Sequence, residues 1–202
     1  GKLIIDAILD AAAQGSYTVR RGPLSASYWS RFVLIGSMNP EEGRLRPQIM
    51  DRFGLRVPVQ GLMDLEQRYE IYQRVRRYQT NRRRFLAEWA PASAEVREDL
   101  IAARELLKET TLTAEAVEVG LQLVRALEID SHRAEYAMFE AARAHAAADG
   151  RDRADLDDLR AVAPMALRGR RSAFMAEFFQ QQSDEDAAIR TQVDRLDPRG
   201  EE

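Results

Sequence analysis

The residues best placed for chemistry lie between Arg31 and Val59, RFVLIGSMNPEEGRLRPQIMDRFGLRVPV. Phe32, Val33, Leu34 and Ile35 read as a buried strand running into a polar turn, Gly36 to Pro40. A short helix opened by Pro47 follows, then a second apolar strand alternating Leu55, Val57 and Val59. This order puts Asn39 at the C-terminal end of a strand, with several arginines, Arg46 and Arg52 among them, one helix away, where open α/β sheets keep their ligand sites. An amide donates and accepts hydrogen bonds without titrating, and a guanidinium is a permanently charged fork of donors. On the residues alone, Asn39 divides evenly between a ligand role and a turn residue bonding its own backbone ahead of Pro40. Arg52 divides between a ligand role and an ion pair with Asp51 or a nearby glutamate.

The elements that must hold these residues change character along the chain. Residues 3–13, LIIDAILDAAA, carry an apolar helical stripe with Asp6 and Asp10 on another face, and Gln14-Gly15 ends it. Ser16 to Ile35 reads as a hairpin turning at Arg20-Arg21-Gly22-Pro23 and feeding the strand 32–35. Beyond Gly61 the pattern is helical: 65–79 capped by Asp64, a short cluster of Phe85, Leu86 and Trp89 ahead of Pro91, then 94–108 capped by Ser93. Further helices are expected at 116–127 behind Thr113, 132–149 opened by Ser131, 156–168 opened by Asp155, and 172–192, before a polar tail from Asp197 to Glu202. The fold class is therefore α/β followed by all-α. Three or four strands cannot form an independent covered parallel sheet, and the opening Gly1-Lys2-Leu3 lies inside a helical pattern without a capping signal, so upstream sequence is expected.

Composition narrows the function classes. The 202 residues are 45% apolar and 31% charged, with formal charge −3 and no cysteine, which removes disulfides, thiolate metal sites and thiol catalysis and leaves only local basic patches for polyanions. No apolar run approaches a membrane span of about 18 residues, and no signal peptide is apparent, so a soluble, cytoplasmic chain is expected. One patch, Arg74, Arg76, Arg77, Arg82, Arg83 and Arg84, is interleaved with Tyr72, Tyr78 and Phe85. Nucleic-acid binding there is not expected, because helical spacing turns the tyrosines towards a core more readily than towards bases.

The stretch GSMNPEEGRLRPQIMDRFGL at 36–55 closely resembles the segment after the Walker B strand in the ATPase subunit I of magnesium chelatase, an AAA+ family that also includes MoxR-like ATPases. The preceding GSYTVRRGPLSASYWSRFVLIG, DSHRAEYAMFEAARAHAAADG at 130–150 and VAPMALRGRR at 162–171 are similar to that family as well. The resemblance implies the C-terminal part of an AAA+ P-loop core at 1–60, a helical connector at 61–110, a lid bundle at 111–171 and a C-terminal helix and tail at 172–202. It implies that Asn39 is sensor 1, orienting the attacking water, that Arg52 is the arginine finger acting in trans, that Arg46 is a second interface arginine, and that Arg133 is sensor 2. Arg133 stands in the first turn of a helix, where the macrodipole disfavours a cation by about 0.3–1 kcal/mol, and a bound anion would relieve this.

The family further implies ATP and Mg²⁺ in the complete protein, a homo-oligomeric ring, and a partner subunit of the chelatase D or VWA-domain kind. The expected function is a motor coupling ATP hydrolysis to metal insertion into a porphyrin or to metalloenzyme maturation; the alternative is a non-catalytic AAA-like subunit assembling with an active ATPase. The sequence departs from the pattern in lacking G-x-x-x-x-G-K-[ST] and an apolar strand ending in Asp-Glu, so tight nucleotide binding by these residues alone is not expected. No metal site is assigned: His132 reads as a surface residue, and His145 lies on an Ala-rich helix without metal-ligand partners.

Overall fold

The computed structural model describes residues 2–39, 41, 46–171 and 173–196. The chain divides into two compact units, Gly1–Gly54 and Leu55–Glu202.

The first unit opens with α1 (Lys2–Gln14), closed by Gly15 in the left-handed region, φ 68°. Gly has no Cβ to oppose that conformation. The hairpin follows as anticipated: β1 (Ser16–Arg21) pairs antiparallel with β2 (Leu24–Trp29), from Ser16 opposite Trp29 to Arg21 opposite Leu24. Tyr17 and Tyr28 stack across it at 5.4 Å, a cross-strand pairing that adds to the ladder. Pro47 sits at the start of α2 (Pro47–Arg52), as its fixed φ favours.

The expected strand at 32–35 does not form. Exposure alternates, 46, 88, 37 and 89% from Phe32 to Ile35, so the chain is extended with the period of a strand, yet it is not buried. A strand exists through its ladder, and among the described residues β2 pairs with β1 alone. The second expected strand is also absent: Val57 and Val59 are exposed. There the backbone goes elsewhere, because Arg56 N–H donates to the Met165 carbonyl at 2.9 Å and its Nη1 to the Arg168 carbonyl at 2.5 Å. A cation at the end of a helix satisfies carbonyls that have no intrahelical donor.

The second unit is helical. Asp64 caps α3 (Leu65–Thr80), accepting from the Gln67 amide at 2.8 Å. Asn81 alone joins α3 to α4 (Arg82–Leu106): its N–H donates to Arg77 O and its side chain accepts from the Arg84 amide. The expected break at Pro91, with Ser93 starting a new helix, is corrected, since α4 runs through Pro91 without interruption. The proline withholds one donor, but Ala90, Ala92 and Ala94 around it are the strongest helix formers, and no glycine offers a stop.

The core lies in the remaining helices. Thr113 caps α5 (Ala114–Ala126), His132 precedes α6 (Arg133–Ala148) without a side-chain cap, and Asp155 caps α7 (Leu156–Leu167); α8 (Ala173–Leu196) follows. Two short parallel strands, β3 (Thr111–Leu112) and β4 (Arg153–Ala154), bind the loops before α5 and α7 together. Ala134, Met138, Ala142 and Ala146, four apart on one face of α6, are fully buried. Three are small, so α7 can approach closely with Leu159, Val162 and Ala166. Gly120 leaves room for the Phe139 ring, which would stand 2.5 Å from an added Cβ. Arg143 ties α4 to α6, donating to the carbonyls of Thr110 and Leu107 at 2.8 and 2.9 Å. No helix among the described residues is long and apolar enough to cross a membrane.

The start of α7 is fixed by a capping box: Asp155 Oδ1 accepts from the Asp158 amide, and Asp158 Oδ2 accepts from the Asp155 amide at 2.9 Å. Asp158 is fully buried and also accepts from both terminal nitrogens of Arg151, at 2.5 and 2.8 Å. The Arg151 guanidinium holds the Asp158 carboxyl well below the usual carboxylate range; burial opposes this, and His145 and the Asp155 amide reinforce it. A depressed folded-state value contributes stability that is present above the unfolded carboxyl value of about 4 and is lost as pH falls below it. Asp158→Asn is expected to cost about 2–3 kcal/mol at neutral pH and to flatten the acid limb of stability, both read by urea unfolding between neutral and acid pH.

Candidate nucleotide-contacting residues

Asn39, Arg46 and Arg52 belong to the first unit and Arg133 to the second. Asn39 is exposed, and its Oδ1 accepts from the Glu41 amide at 3.2 Å. This is the local turn bond that a turn asparagine makes; it occupies the carbonyl end of the side chain, and among the described residues the amide nitrogen donates to nothing. Pro40, Glu42, Gly43, Arg44 and Leu45 lie outside the described residues. The turn carrying Asn39 and the helix carrying Arg52 meet through Phe53, whose ring atom Cζ stands 3.4 Å from where a Cβ on Gly36 would lie. A Cβ at position 36 would only reach ordinary contact with that ring, so the turn lies against the Phe53 side chain.

Arg46 precedes α2, and its carbonyl accepts from the Ile49 and Met50 amides at 2.9 and 3.0 Å. Its backbone therefore starts the helix that ends at Arg52, while its side chain is exposed. Arg52 closes α2, a favourable place for a cation, and pairs with Asp10 of α1. Neither Asp51 nor a glutamate is that partner: the carboxylate is 42 positions away, a separation that sequence reasoning cannot bridge without the fold. With 34% of the Arg52 and 52% of the Asp10 side chain exposed, such a pair contributes at most about 1 kcal/mol, so the guanidinium is only lightly held.

Arg133 is the first residue of α6 and is exposed. The first turn contains Glu135, and His132 supplies no side-chain cap. His132 is fully exposed, 3.5 Å from Glu135, in keeping with a surface residue. His145 has a partner after all: its Nδ1 lies 2.7 Å from Asp158 Oδ1, 13 positions along the chain and one loop away. His145, Asp149 and Asp158 present ligand atoms within 4.8 Å of one another. Arg151 donates to both oxygens of Asp158 and to Asp149 at 3.2 Å, so the cation these carboxylates hold is a guanidinium of the same chain. The Asp-x-x-Asp spacing at 155–158, a capping signal, was the one clue in the sequence to this cluster. An apolar groove of about 260 Å³ between α5 and α7, lined by Val119, Leu123, Leu156, Leu159, Arg160 and Ala163, lies in the same unit.

Comparison with known proteins shows what the chain is similar to. Residues 110–192 match the AAA lid domain family. The chain is 40% identical over 173 residues to the magnesium-chelatase subunit ChlI homologue of Methanocaldococcus jannaschii, covering 85% of this chain and 47% of that protein. It is 41% identical over 167 residues to the magnesium-chelatase 38 kDa subunit of Rhodobacter capsulatus, covering 83% of this chain and 48% of that protein. The chain thus spans about half the length of these curated relatives. A crystal structure from Cytophaga hutchinsonii, described as a candidate ATPase, shares the fold with a TM-score of 0.62 at 20% identity, over 94% of this chain and 62% of that one. Over most of its own length the chain is thus similar to magnesium-chelatase subunits, and its residues 110–192 match the AAA lid domain family.

Proposed function

We propose that these residues serve an ATP-hydrolysing motor subunit of the magnesium-chelatase type, acting in the cytoplasm as a homo-oligomeric ring. In this reading Asn39 is sensor 1, Arg52 the finger presented to a neighbouring subunit, Arg46 a second interface arginine and Arg133 sensor 2. The core part runs from 1 to 60, a connector from 61 to 110, the lid from 111 to 171 and a C-terminal helix and tail from 172 to 202. The work done is metal insertion into a porphyrin or maturation of a metalloenzyme, with a chelatase D-like or VWA-domain partner. One observation carries the proposal: identity of 40–41% with magnesium-chelatase subunits over a stretch of 167–173 residues.

The donor set is that of a nucleotide site's accessory groups. Among the described residues the Asn39 amide nitrogen has no partner beside the turn bond of its carbonyl oxygen, and an amide of that kind is suited to holding a water in line with a phosphate. Arg52 leaves Asp10 at small cost and offers a charged fork to phosphate oxygens developing charge. Arg133 stands at an α6 terminus with no side-chain cap, where a bound anion meets both the guanidinium and the helix dipole. ATP with Mg²⁺ would supply the phosphoryl group and the metal charge in the complete protein. The residues here orient and neutralise, and the phosphate cradle is not among them.

In the full-length assembled protein, Arg52→Ala is expected to lower ATP turnover at least about 10³-fold, measured by phosphate release with ring assembly checked by light scattering. Turnover within about threefold of wild type would sink the finger assignment. Asp10→Ala, which removes the resting partner of Arg52 without touching the proposed chemistry, is expected to change thermal stability by less than about 1 kcal/mol and to leave turnover unchanged.

A further inference from the structure

The joint between α3 and α4 collects more positive charge than its own contacts use. From Glu70 to Glu88 there are six arginines against two glutamates, a local charge of +4 in a chain of formal charge −3. The two glutamates are already engaged, Glu70 with Arg74 and Glu88 with Arg77, the latter at 3.1 Å. Arg74, Arg77 and Arg82 lie over the rings of Trp89, Phe85 and Tyr78, 5.0, 5.8 and 5.6 Å from the ring centres. These contacts pair the two helices in antiparallel order and fill the seam between them. Arg76, Arg83 and Arg84 remain outside: all three are exposed, and among the described residues their guanidinium groups have no hydrogen-bond or ion-pair partner.

Two physical features separate this cluster from an ordinary solvated face. Arg82, Arg83 and Arg84 occupy the whole first turn of α4, which contains no acid. Cations there oppose the helix dipole, and acids are what that position favours. The placement is a stability cost that a bound anion would remove. The second feature is shape. On α3, Arg76 lies about half a helical turn round from the seam residue Arg74, and on α4, Arg83 lies likewise from Phe85, so the outward arginines flank the joint instead of forming one flat plane.

We propose that the α3–α4 joint is a docking site for an acidic polypeptide segment of a partner protein, an extended run of glutamate or aspartate that wraps the joint and engages Arg76, Arg83 and Arg84. A carboxylate accepts two parallel bonds from one guanidinium, and a flexible segment reaches both flanks where a rigid surface reaches one. Single-stranded nucleic acid is the less suitable occupant, because it needs free rings to stack on: Tyr78, Phe85 and Trp89 in the seam already carry arginines of the same chain, and Tyr69 and Tyr72 stack on each other.

The test uses the full chain with three fluorescein-labelled probes, a Glu-rich peptide of about twelve residues, a single-stranded oligonucleotide and a duplex, followed by anisotropy at low and physiological salt. The wild type is expected to bind the peptide more tightly than either oligonucleotide, with affinity falling as salt rises. In R76E/R83E/R84E the peptide affinity is expected to fall at least about 30-fold, while the melting temperature holds or rises, because two of the new acids sit in the first turn of α4. R76Q/R83Q/R84Q, neutral and of similar length, is expected to fall between the two. Tighter binding of an oligonucleotide would make this a nucleic-acid site and overturn the proposal. So would an undetectable wild-type peptide complex at low salt, or a Glu variant within about threefold of wild type.

Discussion

The helical unit depends on one buried charge. Asp158 has no exposed surface, and a carboxylate in that position is tolerable only if every lone pair finds a donor. The donors come from three places: the side chain of His145 near the end of α6, the guanidinium of Arg151 in the following loop, and the backbone of Asp155 at the start of α7. Satisfying this one group therefore fixes where α6 stops, how the loop folds back and where α7 begins. β4 lies within that loop and pairs with β3, so the entrance to α5 is set by the same carboxylate at one remove.

Around that charge the packing is close because the residues are small. Alanines on α6 let α7 come near enough for Leu159 and Val162 to fill the interface without large side chains, and dispersion between many close atoms replaces a few bulky anchors. The α3–α4 hairpin is built by other means. It has no buried residue and is held by end caps, helix propensity and arginines lying on rings. Two construction methods thus coexist in one chain: a packed bundle whose geometry is stiff, and a solvated hairpin stabilised along its own length.

Much of the helical unit was legible in the sequence, and the reason is local. Asp64, Thr113 and Asp155 act within one turn of themselves, so the types of neighbouring residues are enough to place a helix start. Gly15 and Gly22 are legible for the same reason, since the left-handed backbone at each admits few other residues. What could not be read is what distance in sequence hides: the ion pair of Arg52 with Asp10, and the carboxylate facing His145. The segment 32–35 has the pattern of a strand without being one. Its period of two is present in the exposure of its side chains, but a period reports conformation, while burial and pairing depend on neighbours the segment does not itself specify. Pro91 does not stop α4, because a proline removes one bond and the alanines beside it sustain the rest. Asn39 shows the turn bond that the residues alone predicted equally well; the resemblance to chelatase subunits, not the turn, carries its assignment.

Asn81 is the only residue between two long helices, closing one and opening the next. A joint of that length has no slack. Adding or removing one residue on either side would turn everything beyond it by about 100°, parting Arg74 from Trp89 and Tyr78 from Phe85 and swinging the arginines to a different heading. The hairpin can therefore lengthen over evolutionary time only in paired steps of roughly two turns, about seven residues on each arm. Its reach from the bundle is thus discrete, set like the teeth of a gear, while the amino acids at its outer surface remain free to vary one by one.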